Sequence, residues 1–440
     1  MISKALSSWF GHFTKPELKK FFILGVIFAL TIAINWLLRT LKDSTFITMV
    51  GPCFIPHAKW LSFLVSIPLV ALYGKLVDLF SRQRLLYSLC IAYGCACLIF
   101  AYFLAHAYAN LGLQQIYNPL LGWLWYLFVE SFGSIMITLF WAFVSDTTTP
   151  ASAARGYGLI ALAGQVGNIA GPLLAERQAE HWGTGILAVI GGGAIFALVP
   201  LFYYLITYVD QSQLEGFHAY NEKAQEKKDI QVDFGEGLGL LMARPYLLGI
   251  FGIVSFYEIV YAIFDYRFKA FAALVYQGEA LTRYFGEFGA LTGLVAFLCL
   301  LCGISNITRW MGLTAALLLA PLCMGILTLV NMSSNITAVM WVMVFANVLN
   351  YALHQPTKEQ LYIPTTYEAK YKTKAWIEIF GFRGSKALGA GINVATVLLG
   401  NYFVIFSTIT SLGLVGTWFF TAFFLGRTHK KAVTHNKLVA

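Results

Sequence analysis

Twelve runs of about 20 apolar residues, set apart by short polar segments, constrain this chain more than any other feature. A helix that crosses the hydrocarbon of a bilayer needs about 20 predominantly apolar residues. Backbone N–H and C=O groups in hydrocarbon must pair within their own segment, so runs of that length are helices. The runs lie near 21–41, 59–80, 85–107, 120–145, 155–174 and 184–207, and again near 246–266, 284–304, 311–331, 336–353, 378–400 and 403–426. Only 12% of the 440 residues are charged and 58% are apolar, whereas a soluble domain averages about 25% charge. The sequence therefore predicts an all-α polytopic membrane protein with about 12 transmembrane helices and excludes a soluble domain.

Between the sixth and seventh runs lies the longest polar segment, 208–243. In it Asp210, Glu215, Glu222, Glu226, Asp229, Asp233 and Glu236 are interleaved with Lys223, Lys227 and Lys228. A solvated connector is the reading of such mixed charge. It divides the chain into halves 1–207 and 244–440, each with six spans. That is the organisation of the major facilitator fold, in which two six-helix bundles are pseudo-repeats. Lys and Arg gather in the first twenty residues, after the even-numbered spans and in the tail, while the opposite side holds few, among them Lys59 and Arg177. The positive-inside rule places both termini and the connector in the cytoplasm. The mixed N-terminal segment leads into a run too long for a cleaved signal, so a bacterial inner-membrane protein is expected. The net charge of +9 is dispersed over membrane-flanking loops, so the expected surroundings are the lipid bilayer, with no nucleic-acid polymer as partner and the chain a monomer.

One loop carries a gating pattern. After the second span the chain reads Gly74-Lys75-Leu76-Val77-Asp78-Leu79-Phe80-Ser81-Arg82-Gln83-Arg84. Major facilitators carry a Gly, an Asp four residues later and a basic cluster at this loop. The Gly permits close helix approach, and the Asp can cap a helix end and pair with a neighbouring base. Asp78, Arg82 and Arg84 are therefore gating candidates, against the plainer reading of a basic cytoplasmic turn.

Ionisable groups inside spans are costly and usually face a hydrated pathway. Arg39, Lys42 and Asp43 are three and four residues apart, so they share one face at the end of the first span. Snorkelling to the interface would explain one such base better than a trio. Glu130 lies in the fourth span and Glu258 in the middle of the seventh, whose outer end adds Asp265, Arg267 and Lys269. The tenth span carries Asn347, Asn350 and His354. Spans one, four, seven and ten line the cavity of a major facilitator. In the fifth, Gln165 and Asn168 share a face among glycines that equally serve helix packing. Arg383 and Lys386 fall on one face of the eleventh. The balance is cationic, which favours an anionic substrate. Trp36, Tyr126, Tyr257 and Tyr261 offer aromatic faces to a base. The pair Cys299 and Cys302 has the C-x-x-C spacing but neither acidic nor His partners, so packing is preferred to a metal or redox site, and no cofactor is expected.

Several segments together resemble the bacterial and plastid nucleotide transporter family, the ATP/ADP translocases. The first span ends in Arg39-Thr40-Leu41-Lys42-Asp43, where the family has Arg-Asp-Thr-Lys-Asp. Glu130 is followed by Phe140-Trp141. Lys358-Glu359-Gln360-Leu361-Tyr362-Ile363-Pro364 precedes spaced lysines at 370, 372 and 374 and a Lys, Lys386, within Gly384-Ser385-Lys386-Ala387-Leu388-Gly389. The resemblance runs from about residue 20 to 425. It implies a major-facilitator-like antiporter or proton symporter for nucleotides, with its important charges at Lys42, Glu130 and Lys386. The family's acidic residue in the seventh span aligns with Tyr261, one turn after Glu258. A transporter of another metabolite, such as a cofactor, amino-acid derivative or sugar phosphate, is the alternative. A membrane enzyme or scaffold is a third reading, without a catalytic cluster to support it. The chain has no Walker A loop, which argues against ATP-driven pumping.

Overall fold

A computed structural model of the chain describes residues 14–80, 82–109, 119–209, 234–301, 311–365, 373 and 376–435. Most of the acidic connector, the lysines at 370, 372 and 374, and Cys302 lie outside the described residues. Every element among those described is helical, as the all-α expectation requires. Among the described residues, ten helices are long and apolar enough to cross a membrane. They begin with α1 (Lys15–Met49), α2 (Ile55–Leu79), α3 (Arg82–Ala109), α4 (Pro119–Asp146) and α5 (Pro150–Tyr208). The short α6 (Phe234–Ala243) leads to α7 (Pro245–Val275), α8 (Gly278–Leu301), α9 (Leu313–Val330) and α10 (Ile336–Leu349). A π-helical turn, Asn350–His354, joins α10 to α11 (Gln355–Leu361). Then come a second π-helical stretch, Ile377–Gly384, the helices α12 (Ser385–Val394) and α13 (Thr396–Leu399), and finally α14 (Phe403–Thr434).

Two features reconcile ten helices with twelve runs. The 59-residue α5 turns at Gly183, whose φ of +77° and ψ of 161° are not helical. It is the fifth and sixth spans joined end to end, at a left-handed position that favours glycine. The expected eleventh span is broken into the π-helical stretch, α12 and α13, none of which alone is long enough to cross.

The chain divides into two compact units. One comprises Met1–Gly51, Leu64–Ile230 and Tyr276–Gly293. In it α1 packs on α5 and α4, and α3 packs on α5. The α1–α5 approach depends on small residues: a Cβ added at Gly167 would run into the Ala29 carbonyl, and one at Gly171 into that of Ala33. The glycines singled out in the fifth span thus face α1. The start of α1 is fixed by a capping box, in which Thr14 Oγ1 accepts from the Glu17 N–H at 3.3 Å and Glu17 accepts from the Thr14 N–H at 3.4 Å. Glu17 also accepts from Ser152 at 2.5 Å and Arg155 at 2.7 Å, tying this end of α1 to the first turn of α5. Lys20, buried, donates to the Thr147 carbonyl.

The second unit comprises Pro52–Phe63, Gln231–Val275 and Leu294–Ala440. Its centre is α7, which packs on α12, α14 and α10. Gly389 of α12 sits so close to α7 that a Cβ there would come 2.8 Å from the Ile259 carbonyl. Asn393, one turn on, donates to the Ala262 carbonyl at 3.0 Å. These contacts set the position of the α12 N-terminus, and with it Lys386. Both π-helical segments belong to this unit. A π turn adds a residue to the helical repeat, and such turns recur at functional sites.

Candidate functional site

Each unit builds clusters of buried charge. In the first unit α1 continues straight through Arg39, Lys42 and Asp43 rather than ending near residue 41, because those charges find partners inside the bundle. Lys42 is only 3% exposed. Its Nζ hydrogen bonds Glu130 of α4 and lies 3.4 Å from Asp43 Oδ1. The same ammonium stands 4.3 Å from the centre of the Tyr126 ring, and the Arg39 guanidinium 4.8 Å from that of Trp36, so both cations also rest on aromatic faces. Glu130 differs from its partner in keeping 41% of its side chain exposed. The result is a desolvated cation held by a carboxylate that still meets solvent. An incoming oxyanion can replace such a carboxylate without stranding either charge in a dry interior.

Also in the first unit, Asn168 of α5 is buried and donates Nδ2 to Gln165 Oε1 at 3.3 Å. Its own Oδ1 has no hydrogen-bond partner among the described residues. A buried acceptor without a donor is costly, and a ligand or water donor would satisfy it.

In the second unit, Glu258 of α7 is 2% exposed and its Oε2 lies 3.6 Å from Lys386 Nζ, which is 35% exposed. Here the burial is reversed: the carboxylate is dry and the ammonium meets solvent. Lys386 also lies 4.1 Å from the Phe382 ring centre. Tyr261 donates its hydroxyl to Asn347 Oδ1 at 3.1 Å, and Asn347 Nδ2 donates to the Met343 carbonyl at 2.9 Å. Tyr257 stacks between Tyr261, 5.8 Å away, and His354, 5.0 Å away, while Trp418 meets His354 edge-on at 5.4 Å. The His354 ring is thus held in an aromatic stack at the end of the π turn.

The structure brings together Lys42, Asp43 and Glu130, and separately Glu258 with Lys386, Tyr261 with Asn347, and Gln165 with Asn168. Arg383 is half-buried at the end of the second π-helical stretch. Arg267 donates to the Ser333 carbonyl at 3.0 Å and so anchors a chain turn. The side chains of Asp78 and Arg82 lie outside the described residues, and Arg84 is exposed near the start of α3.

One residue escaped the sequence reading. Lys59 of α2, counted there among the few bases of the outer side, is largely buried and pairs with Asp265 Oδ2 of α7 at 2.5 Å. The other oxygen, Oδ1, lies 3.1 Å from Lys269 Nζ. A lone lysine at the edge of an apolar run looks like a snorkelling anchor. The available signal was Asp265, a span carboxylate that needed a base.

The family model described as TLC ATP/ADP transporter matches residues 3–429. The ADP,ATP carrier protein 1 of Chlamydia trachomatis serovar D is 24% identical over 435 residues, covering 85% of this chain and 81% of its own. The ADP,ATP carrier protein 1 of Chlamydia pneumoniae is 26% identical over 448 residues, covering 87% of this chain and 85% of its own. Among solved structures, a bacterial homologue of the iron transporter ferroportin, in an inward-facing state, overlays with a TM-score of 0.63 at 10% identity. It covers 91% of this chain and 98% of that one, a likeness of fold.

Proposed function

The chain belongs to the TLC ATP/ADP transporter family, and from that premise we propose that it moves nucleotides across a membrane by alternating access, as an antiporter or proton symporter. The observation that carries this reading is Lys42, a buried ammonium whose carboxylate partner Glu130 remains in contact with solvent. Substrate phosphate takes the place of Glu130 on Lys42, with Arg39 adding a second donor, as an Arg fork and a Lys point charge commonly do for phosphate. In the other unit Lys386 exchanges Glu258 for the same class of oxyanion, and Arg383 adds positive charge beside it. Asp43, Glu130 and Glu258 take the bases back when substrate leaves, or carry protons. Gln165, Asn168, Tyr261 and Asn347 supply hydrogen bonds to the ribose or base.

The halves 1–207 and 244–440, joined by 208–243, act as the two moving bodies, and Asp78, Arg82 and Arg84 gate the cytoplasmic side. The chain acts as a monomer in the bacterial inner membrane with both termini in the cytoplasm. Its task is transport rather than catalysis. It has no nucleic-acid polymer as partner and needs no cofactor or metal.

The test is uptake by proteoliposomes supplied with ATP, ADP, NAD and other nucleotides, with and without a proton gradient, and with a panel of non-nucleotide anions as competitors. Saturable nucleotide uptake is expected. Uptake competed only by a non-nucleotide metabolite rejects the assignment.

A further inference from the structure

We propose that each unit holds a hydrocarbon chain of a bilayer lipid in an apolar cleft behind one of its helices, α4 in the first and α10 in the second. The inference is independent of which solute the protein moves.

The same cleft occurs twice. In the first unit α2, α3 and α4 enclose a cavity of about 280 Å³, lined by Leu69 and Leu76, by Ala92 and Ala96, and by Phe128 and Ile135. In the second, α8, α9 and α10 enclose one of about 340 Å³, lined by Cys299, by Cys323 and Ile326, and by Phe345, Leu349 and Ala352. These helices are spans two to four and eight to ten, corresponding triplets when two six-span halves repeat. The register agrees as well. Phe128 and Ile135 stand seven residues apart on α4, as Phe345 and Ala352 do on α10. Glu130 and Asn347 each follow the phenylalanine by two residues, a rotation of about 200° at 3.6 residues per turn. Each helix therefore carries its cleft on the face opposite its polar residue.

The surroundings give the class of ligand. Among the lining residues Leu72 is 54%, Ile326 63% and Phe345 48% exposed, so both clefts open on the outer surface of the helices. That surface continues as exposed Ile91 and Ile99 on α3 and Leu322 and Leu329 on α9, the apolar face a membrane protein turns to lipid. Small side chains keep the clefts open: Ala92 and Ala96 on α3, Cys323 on α9. Between helices in lipid no hydrophobic force draws such a gap shut. Water gains little inside, since the Tyr93 hydroxyl already donates to Ser131 Oγ at 3.1 Å. An apolar cavity of about 150 Å³ stays dry and takes a benzene ring, and both clefts are larger. A methylene chain restores the dispersion contacts that an empty lining forfeits, and the bilayer supplies it at the mouth of the cleft.

The experiment uses the full-length chain in proteoliposomes containing a phosphatidylcholine with a diazirine at the middle of one acyl chain. After illumination, the labelled residues are located by peptide mass spectrometry. Labelling should concentrate on the cleft residues, Tyr93 and Phe128 in one unit and Cys323 and Phe345 in the other. It should exceed that on Phe420 of α14, which is 73% exposed and reports ordinary contact with lipid. Ala96→Phe should fill the first cleft and reduce its labelling to the Phe420 level while leaving the second cleft labelled. Cys323→Phe should do the reverse, so the unfilled cleft in each variant reports that the fold is intact. Should either variant not fold, Ala96→Leu and Cys323→Leu carry the same expectation with a smaller filling. Labelling spread evenly over the exposed apolar residues, or labelling of a cleft that filling leaves undiminished, overturns the proposal.

Discussion

Lys42 and Glu130 are 88 residues apart in sequence and hydrogen bonded in space, the ammonium 3% and the carboxylate side chain 41% exposed. That asymmetry decides what each substitution does. Lys42→Ala leaves Glu130, which solvent already reaches, but also takes the ammonium away from Asp43, 3.4 Å off and 8% exposed, so a loss of folding stability of about 1–3 kcal/mol is expected. Uptake, by contrast, should fall to background. Proteoliposome uptake and thermal unfolding of the same preparation check both halves. Undiminished uptake by Lys42→Ala would reject the role given to this residue.

Glu258 and Lys386 show the opposite asymmetry. Lys386→Ala strands a carboxylate that is 2% exposed, and breaking a buried pair from the solvated side costs up to about 3–5 kcal/mol. Glu258→Gln removes the buried charge itself and should cost less. The double variant Lys386→Ala with Glu258→Gln should therefore cost less than the sum of the two single variants, by about 1–3 kcal/mol of coupling. Thermal unfolding in detergent measures the cycle. Additive effects would mean that the 3.6 Å pair does not couple.

The α1–α5 seam should tolerate no side chain. At Gly171 even a methyl group would meet the Ala33 carbonyl, a backbone atom that cannot rotate away. Gly171→Ala should cost about 1–3 kcal/mol through overpacking, and Gly171→Leu should abolish monodisperse protein. Size-exclusion profiles and unfolding temperatures report this. A Leu variant as stable as the parent would remove the glycine from the seam.

Orientation can be read with one thiol. Cys53 is exposed and lies between the first and second spans, on the side predicted to be external. A membrane-impermeant maleimide added to intact cells should label the protein, and Cys53→Ser should abolish the labelling. Labelling of Cys53 only after the cells are opened would invert the proposed topology.

The apolar runs made the helices legible because bilayer thickness and backbone pairing leave no other solution. Their ends were less legible for a physical reason. Arg39, Lys42 and Asp43 interrupt the apolar run, so the first span reads as ending near residue 41, yet α1 continues to Met49 because the bundle supplies those charges with partners. Asp265 and Lys269 do the same for α7, which runs to Val275. The break in the eleventh span was hidden, since a π-helical stretch has no distinct hydropathy. Of the clustered charges, Lys42, Glu130, Glu258 and Lys386 were visible as ionisable groups in spans. Lys59 was not, because its meaning depends on Asp265, 206 residues away, and no local pattern encodes that distance.

Gly183 joins the fifth and sixth spans with no loop between them, and this bears on how the molecule can be altered. A connection with slack absorbs an inserted epitope or fluorophore by bulging outward. At Gly183 extra residues have nothing to bulge from. Each one that joins a helix must drive it along its axis by about 1.5 Å, out of register with its neighbours. Gly183 is therefore a link that engineers should not cut.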